Sequence, residues 1–175
     1  MISIRTESGN DVAARDALLD EAYGPSRFRK PSETIRRGRK PAAALVAVGG
    51  ERIVGTVRLW NIDCGGKPAL LLGPLAVACD RQGEGIGAAL MAHAIDAARL
   101  SGHAAILLVG DAAYYGRFGF TADKTARLAM PGPFERHRLL GLSFSRARSM
   151  RPPASSHRRA VPSQSRGAAP HKSSG

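Results

Sequence analysis

Residues 69–90 read Ala-Leu-Leu-Leu-Gly-Pro-Leu-Ala-Val-Ala-Cys-Asp-Arg-Gln-Gly-Glu-Gly-Ile-Gly-Ala-Ala-Leu. The apolar run from Ala69 to Val77 predicts a buried strand. Its Pro74 has no N–H to give to a ladder, so the strand should be bulged or splayed there. The segment Gln82-Gly83-Glu84-Gly85-Ile86-Gly87 follows as a glycine turn. Beyond it, Ile86, Leu90, Ala94 and Ala97 form one apolar line with Met91, Ile95 and Ala98 beside it, which predicts a helix over Gly85 to Leu100. Gly102 ends it. A strand, a glycine turn and a helix in that order suit one task. Glycines let backbone pass close to an anion, and the first helical N–H groups point at it unpaired, at the positive end of the helix dipole. A pyrophosphate fits there without an enclosing lysine. Arg81 could add charge, whereas Glu84 is unhelpful unless it points to solvent.

Outward from this core the chain alternates strands and helices. Ile2 to Thr6 predicts a short strand. Asn10 or Asp11 can cap a helix that sends Val12, Leu18, Leu19 and Ala22 inward. Gly24 to Pro41 is basic and broken by Pro25, Pro31 and Pro41, a loop with one short helix. Ala43 to Val48 and Arg52 to Ile62 form a hairpin about Gly49-Gly50. Asp63 to Pro68 is a second turn. After the long helix come a buried strand, Ala104 to Val109, and a short helix from Asp111 through Tyr115 that ends near Gly119. Two last strands, Ala126 to Met130 and Arg138 to Phe144, close an antiparallel edge.

Charge divides the chain. The formal net charge is +12 over 175 residues, and the last acidic residue is Glu135. Residues 146–175 hold seven of the basic side chains and no acid, which leaves +5 for residues 1–145. The Ser-, Pro- and Arg-rich segment 146–175 has no apolar periodicity, and it is expected to be a disordered basic tail behind a single domain, 1–145. Such a tail could touch nucleic acid, but no aromatics are interleaved with its charges to stack on bases. Cys64 and Cys79 lack metal-ligand or CxxC spacing, so no metal site is expected. No apolar run is long enough to span a bilayer, and the N-terminal residues lack a secretion pattern. A cytoplasmic protein, monomer or homodimer, is the expectation.

The spacing Gln82-x-x-Gly85-x-Gly87 resembles the pyrophosphate loop of the GNAT superfamily of N-acetyltransferases, [Gln/Arg]-x-x-Gly-x-[Gly/Ala]. Leu75-Ala76-Val77 before it is similar to the end of that family's central strand, and Ala88-Ala89-Leu90-Met91 after it to the first helical turns. Tyr114-Tyr115-Gly116-Arg117-Phe118-Gly119-Phe120 resembles a second signature, a Tyr followed after three residues by Gly-Phe. The likeness spans roughly residues 2–145. It implies the acyl-CoA N-acyltransferase fold: α/β, with a mixed, mostly antiparallel sheet splayed near Pro74 and flanked by helices. It implies that backbone groups of Leu75 and Val77 pair with pantetheine. It also implies that the N–H groups of Gln82, Gly83, Gly85, Ile86, Gly87 and Ala88 take the pyrophosphate of acetyl-CoA. Tyr115 would donate a proton or hydrogen bond to the departing sulfur as an amine acceptor attacks. The central strand carries no Asp or Glu, unlike members with a carboxylate there. That leaves Asp63, Glu33 and His103 as the other ionisable groups to weigh for the base.

Two other functions compete. Gly83-x-Gly85-x-x-Ala88 loosely fits a dinucleotide fingerprint, but only one helical crossover follows it. A non-catalytic acyl-CoA sensor, or a nucleic-acid-binding module working through the basic tail, is the alternative from outside enzymology. The loop Gly24 to Pro41 and the final hairpin should form the acceptor pocket. The loop's cations suggest either the 3′-phosphate of CoA or an anionic acceptor.

Overall fold

In the computed structural model the hairpin appears where the glycines predict it. Strand β2 (Ala43–Gly49) runs antiparallel to β3 (Arg52–Asp63), with Gly50 in the left-handed region that the turn needs. The structure describes residues 1–145; the expected tail lies outside them. Strand β1 (Ile2–Thr6) adds antiparallel to β2, and β4 (Pro68–Leu72) adds antiparallel to β3 on the other side. Next come β6 (Ala105–Val109), parallel to β4, and β7 (Leu139–Ser143), antiparallel to β6. A two-residue β5 (Ala76–Val77) returns to pair with β3, so that seven strands form one mixed sheet.

The expected strand Ala69 to Val77 is thus two pieces, divided at Gly73-Pro74. Strand β4 meets β6 only at Leu70–Ile106 and Leu71–Leu107. Past Leu72 the chain swings toward β3, where Ala76 and Val77 lie opposite Thr56 and Gly55. Strand β6 stays with β7 along its whole length. The sheet therefore splits into a V whose arms are Gly73–Val77 and Leu108–Gly110. A proline without an N–H breaks the ladder at the root of one arm, as its chemistry requires.

Helix α3 (Ile86–Leu100) packs on the face that carries Gly55, burying Ile86, Leu90, Met91, Ala94 and Ala98. The buried line ends on Ala98, one residue from the Ala97 that the periodicity favoured. Its last carbonyls are met by backbone: His103 N–H donates to Ala98, and Gly102 adopts a φ of +78°. The opposite face carries Arg58 and Trp60 by strand alternation. Helix α1 (Val12–Tyr23) comes over it, with Arg15 and Arg58 both bonded to the Glu7 carboxylate (3.1 and 2.5 Å). Only Leu18 and Leu19 of α1 are buried; Val12 and Ala22 are exposed, contrary to expectation. Asp11 does not cap α1 with its side chain. Its carboxylate is taken by Arg5 (2.7 and 3.0 Å) and the Ser8 N–H (2.7 Å), which fixes where the helix begins.

A strand over Ala126 to Met130 does not form. The outer edge of β7 is occupied by Thr121, which exchanges two backbone bonds with Gly141 (3.0 and 2.9 Å). The Ala126 and Leu128 carbonyls accept instead from the Arg136 guanidinium (2.8 and 3.3 Å), so the segment needs no strand partner.

Candidate active site

The glycine turn is built for backbone contact. Gly83 and Gly85 both have positive φ (82° and 78°), and a methyl group placed on either would meet nothing within 4 Å. The first backbone bond of α3 runs from Ala89 N–H to the Gly85 carbonyl (3.0 Å). The N–H groups of Ile86, Gly87 and Ala88 precede it and have no helical partner. No side chain caps them either. Glu84 is held by Arg81 through two bonds of 2.8 Å. The turn's one carboxylate is thereby turned aside and offset, but Arg81 is spent on it and adds no free charge, as the sequence had suggested it could. Gly87 has a close neighbour instead of open space. A Cβ there would lie 2.9 Å from the Tyr114 hydroxyl, so the short helix α4 (Ala112–Tyr115) brings that phenol against the start of α3.

Leu75 and Val77 stand on the first arm of the V. The Ala78 N–H donates to the Val54 carbonyl (2.9 Å), and backbone direction alternates along a strand. Ala76 and Ala78 therefore face β3, whereas Leu75 and Val77 turn their backbone groups away from it, toward the opening. The Leu75 carbonyl already accepts a short hydrogen bond from the Tyr23 hydroxyl, at the end of α1. A carbonyl has a second lone pair, so this bond leaves room for another donor.

Between the arms lies a cavity of about 680 Å³, within the range of small-molecule sites. Leu72 to Leu75 form one wall and Leu108 to Asp111 the other, with Tyr115 between them. The segments Arg27 to Arg36 and Met130 to Arg138 close it. The basic loop is where the sequence put it, now resolved as a 3₁₀ turn and a short helix α2 (Pro31–Arg36). The last wall is irregular chain and a 3₁₀ turn instead of a hairpin arm. None of Gln82 to Ala88 lines this cavity.

Tyr115 is half-buried. Its ring stands edge-on to Tyr114 (4.8 Å between centroids) and lies against Gly110, where a Cβ would fall 2.3 Å from Cε2. Burial raises its pKa well above the ordinary phenol value; Tyr23 and Tyr114 push the same way, and Arg138 opposes them. The two adjacent tyrosines thus have separate surroundings: Tyr115 faces the cavity, and Tyr114 faces the glycine turn. Glu33 lines the cavity, 3.4 Å from Arg36 Nη1. Asp63 and His103 do not: Asp63 accepts from the Gly66 N–H (2.6 Å), and His103 Nε2 lies 3.4 Å from Asn61. Tyr23, Asp111, Glu135 and Arg138, which also line the cavity, carry no spacing signal that would have singled them out. No group of three or more His, Cys, Asp or Glu fit to hold a metal is found among the described residues. Nor is any helix among them long and apolar enough to cross a membrane.

Residues 40–122 match the model of the acetyltransferase (GNAT) domain. The uncharacterized N-acetyltransferase YhbS of Escherichia coli K12 is 32% identical over 144 residues, which is 78% of this chain and 86% of YhbS. The crystal structure of Escherichia coli YhbS in complex with CoA superposes with a TM-score of 0.72 at 27% identity, covering 81% of each chain. A GNAT family acetyltransferase from Brucella melitensis, in complex with acetyl-CoA, gives 0.66 at 27% identity, covering 83% of this chain and 89% of that one. The chain belongs to the GNAT family and is an N-acetyltransferase. The seven-stranded mixed sheet, mostly antiparallel, leaves no place for the dinucleotide-binding alternative.

Proposed function

We infer that acetyl-CoA lies across the V. Its pyrophosphate rests on the N–H groups of Gln82 to Ala88, its pantetheine arm runs along Leu75 and Val77, and its thioester lies beside Tyr115. The acetyl group then passes to a primary amine that occupies the cavity. One observation carries this reading: three successive N–H groups, Ile86 to Ala88, are unpaired and open onto space that two left-handed glycines keep clear. The positive end of the helix dipole adds to them. The CoA complexes of YhbS and the Brucella melitensis protein support the reading by likeness.

Amine attack on the thioester expels a thiolate, whose ordinary pKa is about 8.5. A phenol of raised pKa stays protonated at neutral pH, and full transfer from it would be uphill. Tyr115 accordingly serves the sulfur mainly as a hydrogen-bond donor as charge develops. With the reading go a catalytic domain of residues 1–145, a dispensable basic tail over 146–175, a monomer or homodimer, and a cytoplasmic setting.

Thermal unfolding tests the cofactor. A ligand at 100 times its Kd stabilises the native state by about 2.7 kcal/mol, or roughly 5–10 °C in a domain of this size. CoA and acetyl-CoA should each raise Tm on that scale, and NAD should not. A shift with NAD and none with CoA would overturn the assignment.

A further inference from the structure

The cavity around Tyr115 holds more cationic charge than acetyl transfer requires. Its acids are engaged: Glu33 by Arg36, Asp111 by the Ala113 N–H (3.0 Å), and Glu135 by His137 (3.3 Å). Arg27 is met by Asp20 (2.9 Å) and stacks over Phe28. Lys30 and Arg138 form no ion pair among the described residues, and residues 146–175 contain no Asp or Glu to supply one. Arg36 is only 9% exposed and has one long contact to Glu33, while its Nε is buried with no acceptor. A buried guanidinium N–H without a partner is costly, and three cations in one cavity repel each other. That repulsion, on top of burial, pushes the Lys30 pKa down; Arg138 and Arg36 are its like-charged neighbours.

An anion in the cavity offsets the repulsion among the cations, and carboxylate and phosphate oxygens match the donor fork of an arginine. The phosphates of CoA are not that anion if the cofactor lies as inferred above, since the glycine turn is absent from this cavity and the thioester end enters it. We propose that the acceptor is a small amine carrying an anionic group, carboxylate or phosphate, which Lys30, Arg36 and Arg138 hold while its nitrogen faces the thioester. The same cations favour the neutral amine over the ammonium. The ammonium gives a proton to solvent, and the neutral nitrogen attacks the thioester carbon. The C–N bond forms as the C–S bond breaks, and the nitrogen's second proton ends on the sulfur through water while Tyr115 donates a hydrogen bond to that sulfur.

The inference rests on the cofactor reading, and paired acceptors separate the two. Thiol release from acetyl-CoA by the full chain is measured with glycine against glycinamide, β-alanine against propylamine, and phosphoethanolamine against ethanolamine. CoA is titrated alongside. The anionic member of at least one pair should have the higher kcat/KM by about tenfold or more, with a gap that narrows in 0.5 M salt. The carboxylate and phosphate arms show which anion fits. Lys30→Gln and Arg138→Gln should each raise KM for that acceptor about tenfold, and Arg138→Lys should restore part of it by charge without the fork, which a loss of packing alone would not allow. Arg36 lies against Gly73, so the charge variants are placed at the other two positions. Intact CoA binding with neutral amines used as well as anionic ones, or with no anionic amine used, overturns the anion site and leaves the cofactor reading standing. Failure of CoA to bind removes both.

Discussion

The two ends of the cleft are built by opposite means. In the reading proposed above, the donors at the glycine turn are backbone N–H groups from one stretch of about seven residues, and among nearby side chains Arg81 and Glu84 are paired off while the Tyr114 hydroxyl reaches in. The cavity around Tyr115 is lined by side chains from five separate parts of the chain: α1, the basic loop and α2, the arm after β4, the end of β6 with α4, and the segment before β7. A backbone site binds what any member of a family must bind. A side-chain site can be rebuilt residue by residue without disturbing the first. If the proposed reading holds, division of this kind allows one fold to keep its donor while its acceptor changes.

The sharpest way to break this comparison is Gly85→Asp. The left-handed φ of 78° costs an aspartate about 1–2 kcal/mol, and a carboxylate some 4 Å from a phosphate adds about 4 kcal/mol of repulsion at an effective dielectric near 20. CoA affinity should fall by at least about 100-fold by calorimetric titration, with the protein still folded by circular dichroism. Unchanged affinity would mean that the phosphate site lies elsewhere.

A second test sets the two tyrosines against each other. Tyr115→Phe should lower kcat at saturating acetyl-CoA by about 100-fold and leave CoA affinity near wild type. Tyr114→Phe should do the reverse, because its hydroxyl sits at the start of α3: CoA binding weaker by about fivefold, the scale of one neutral hydrogen bond, and kcat nearly intact. Since burial raises the Tyr115 pKa, kcat should not fall as pH passes through the ordinary phenol range near 10. Matching small effects from both substitutions would erase the distinction between the two ends.

The smallest effect is expected from removing residues 146–175. Neither motif lies in them, so Tm should change by less than about 2 °C and thiol release should be retained. A large loss of either would extend the catalytic domain past residue 145.

How legible each end was in the sequence follows from its construction. Gly49-Gly50, Pro74 and the turn at Gly83 to Gly87 act within a few residues of themselves, and short-range patterns reported them correctly. The Tyr115 signature is also local, and its ring lines the cavity. Tyr23, Glu135 and Arg138 gave no signal, because what brings them together is the V of the sheet and not their spacing. The misread strand at Ala126 to Met130 has the same origin. Thr121 had taken the outer edge of β7, and Arg136 supplied donors to the segment's carbonyls. Asp11 is a milder case: a good capping residue was diverted to an arginine six positions earlier, which local rules do not see.

Gly55 is the fourth residue of β3, just past the turn that opens the strand. A Cβ there would fall 2.8 Å from Leu90 Cδ1 and 3.0 Å from Ile86 Cγ2, so the first two turns of α3 rest directly on bare backbone. Ile86 is both the residue pressed against that seat and the first of the three unpaired N–H groups. The proposed donors of the turn therefore begin on a residue packed closely against the sheet. In the proposed reading, affinity at the turn would depend in part on the thickness of one absent methyl group on the sheet beneath it. A protein engineer seeking a looser grip on the cofactor, and a faster release of product, could begin there without touching a residue that meets the ligand.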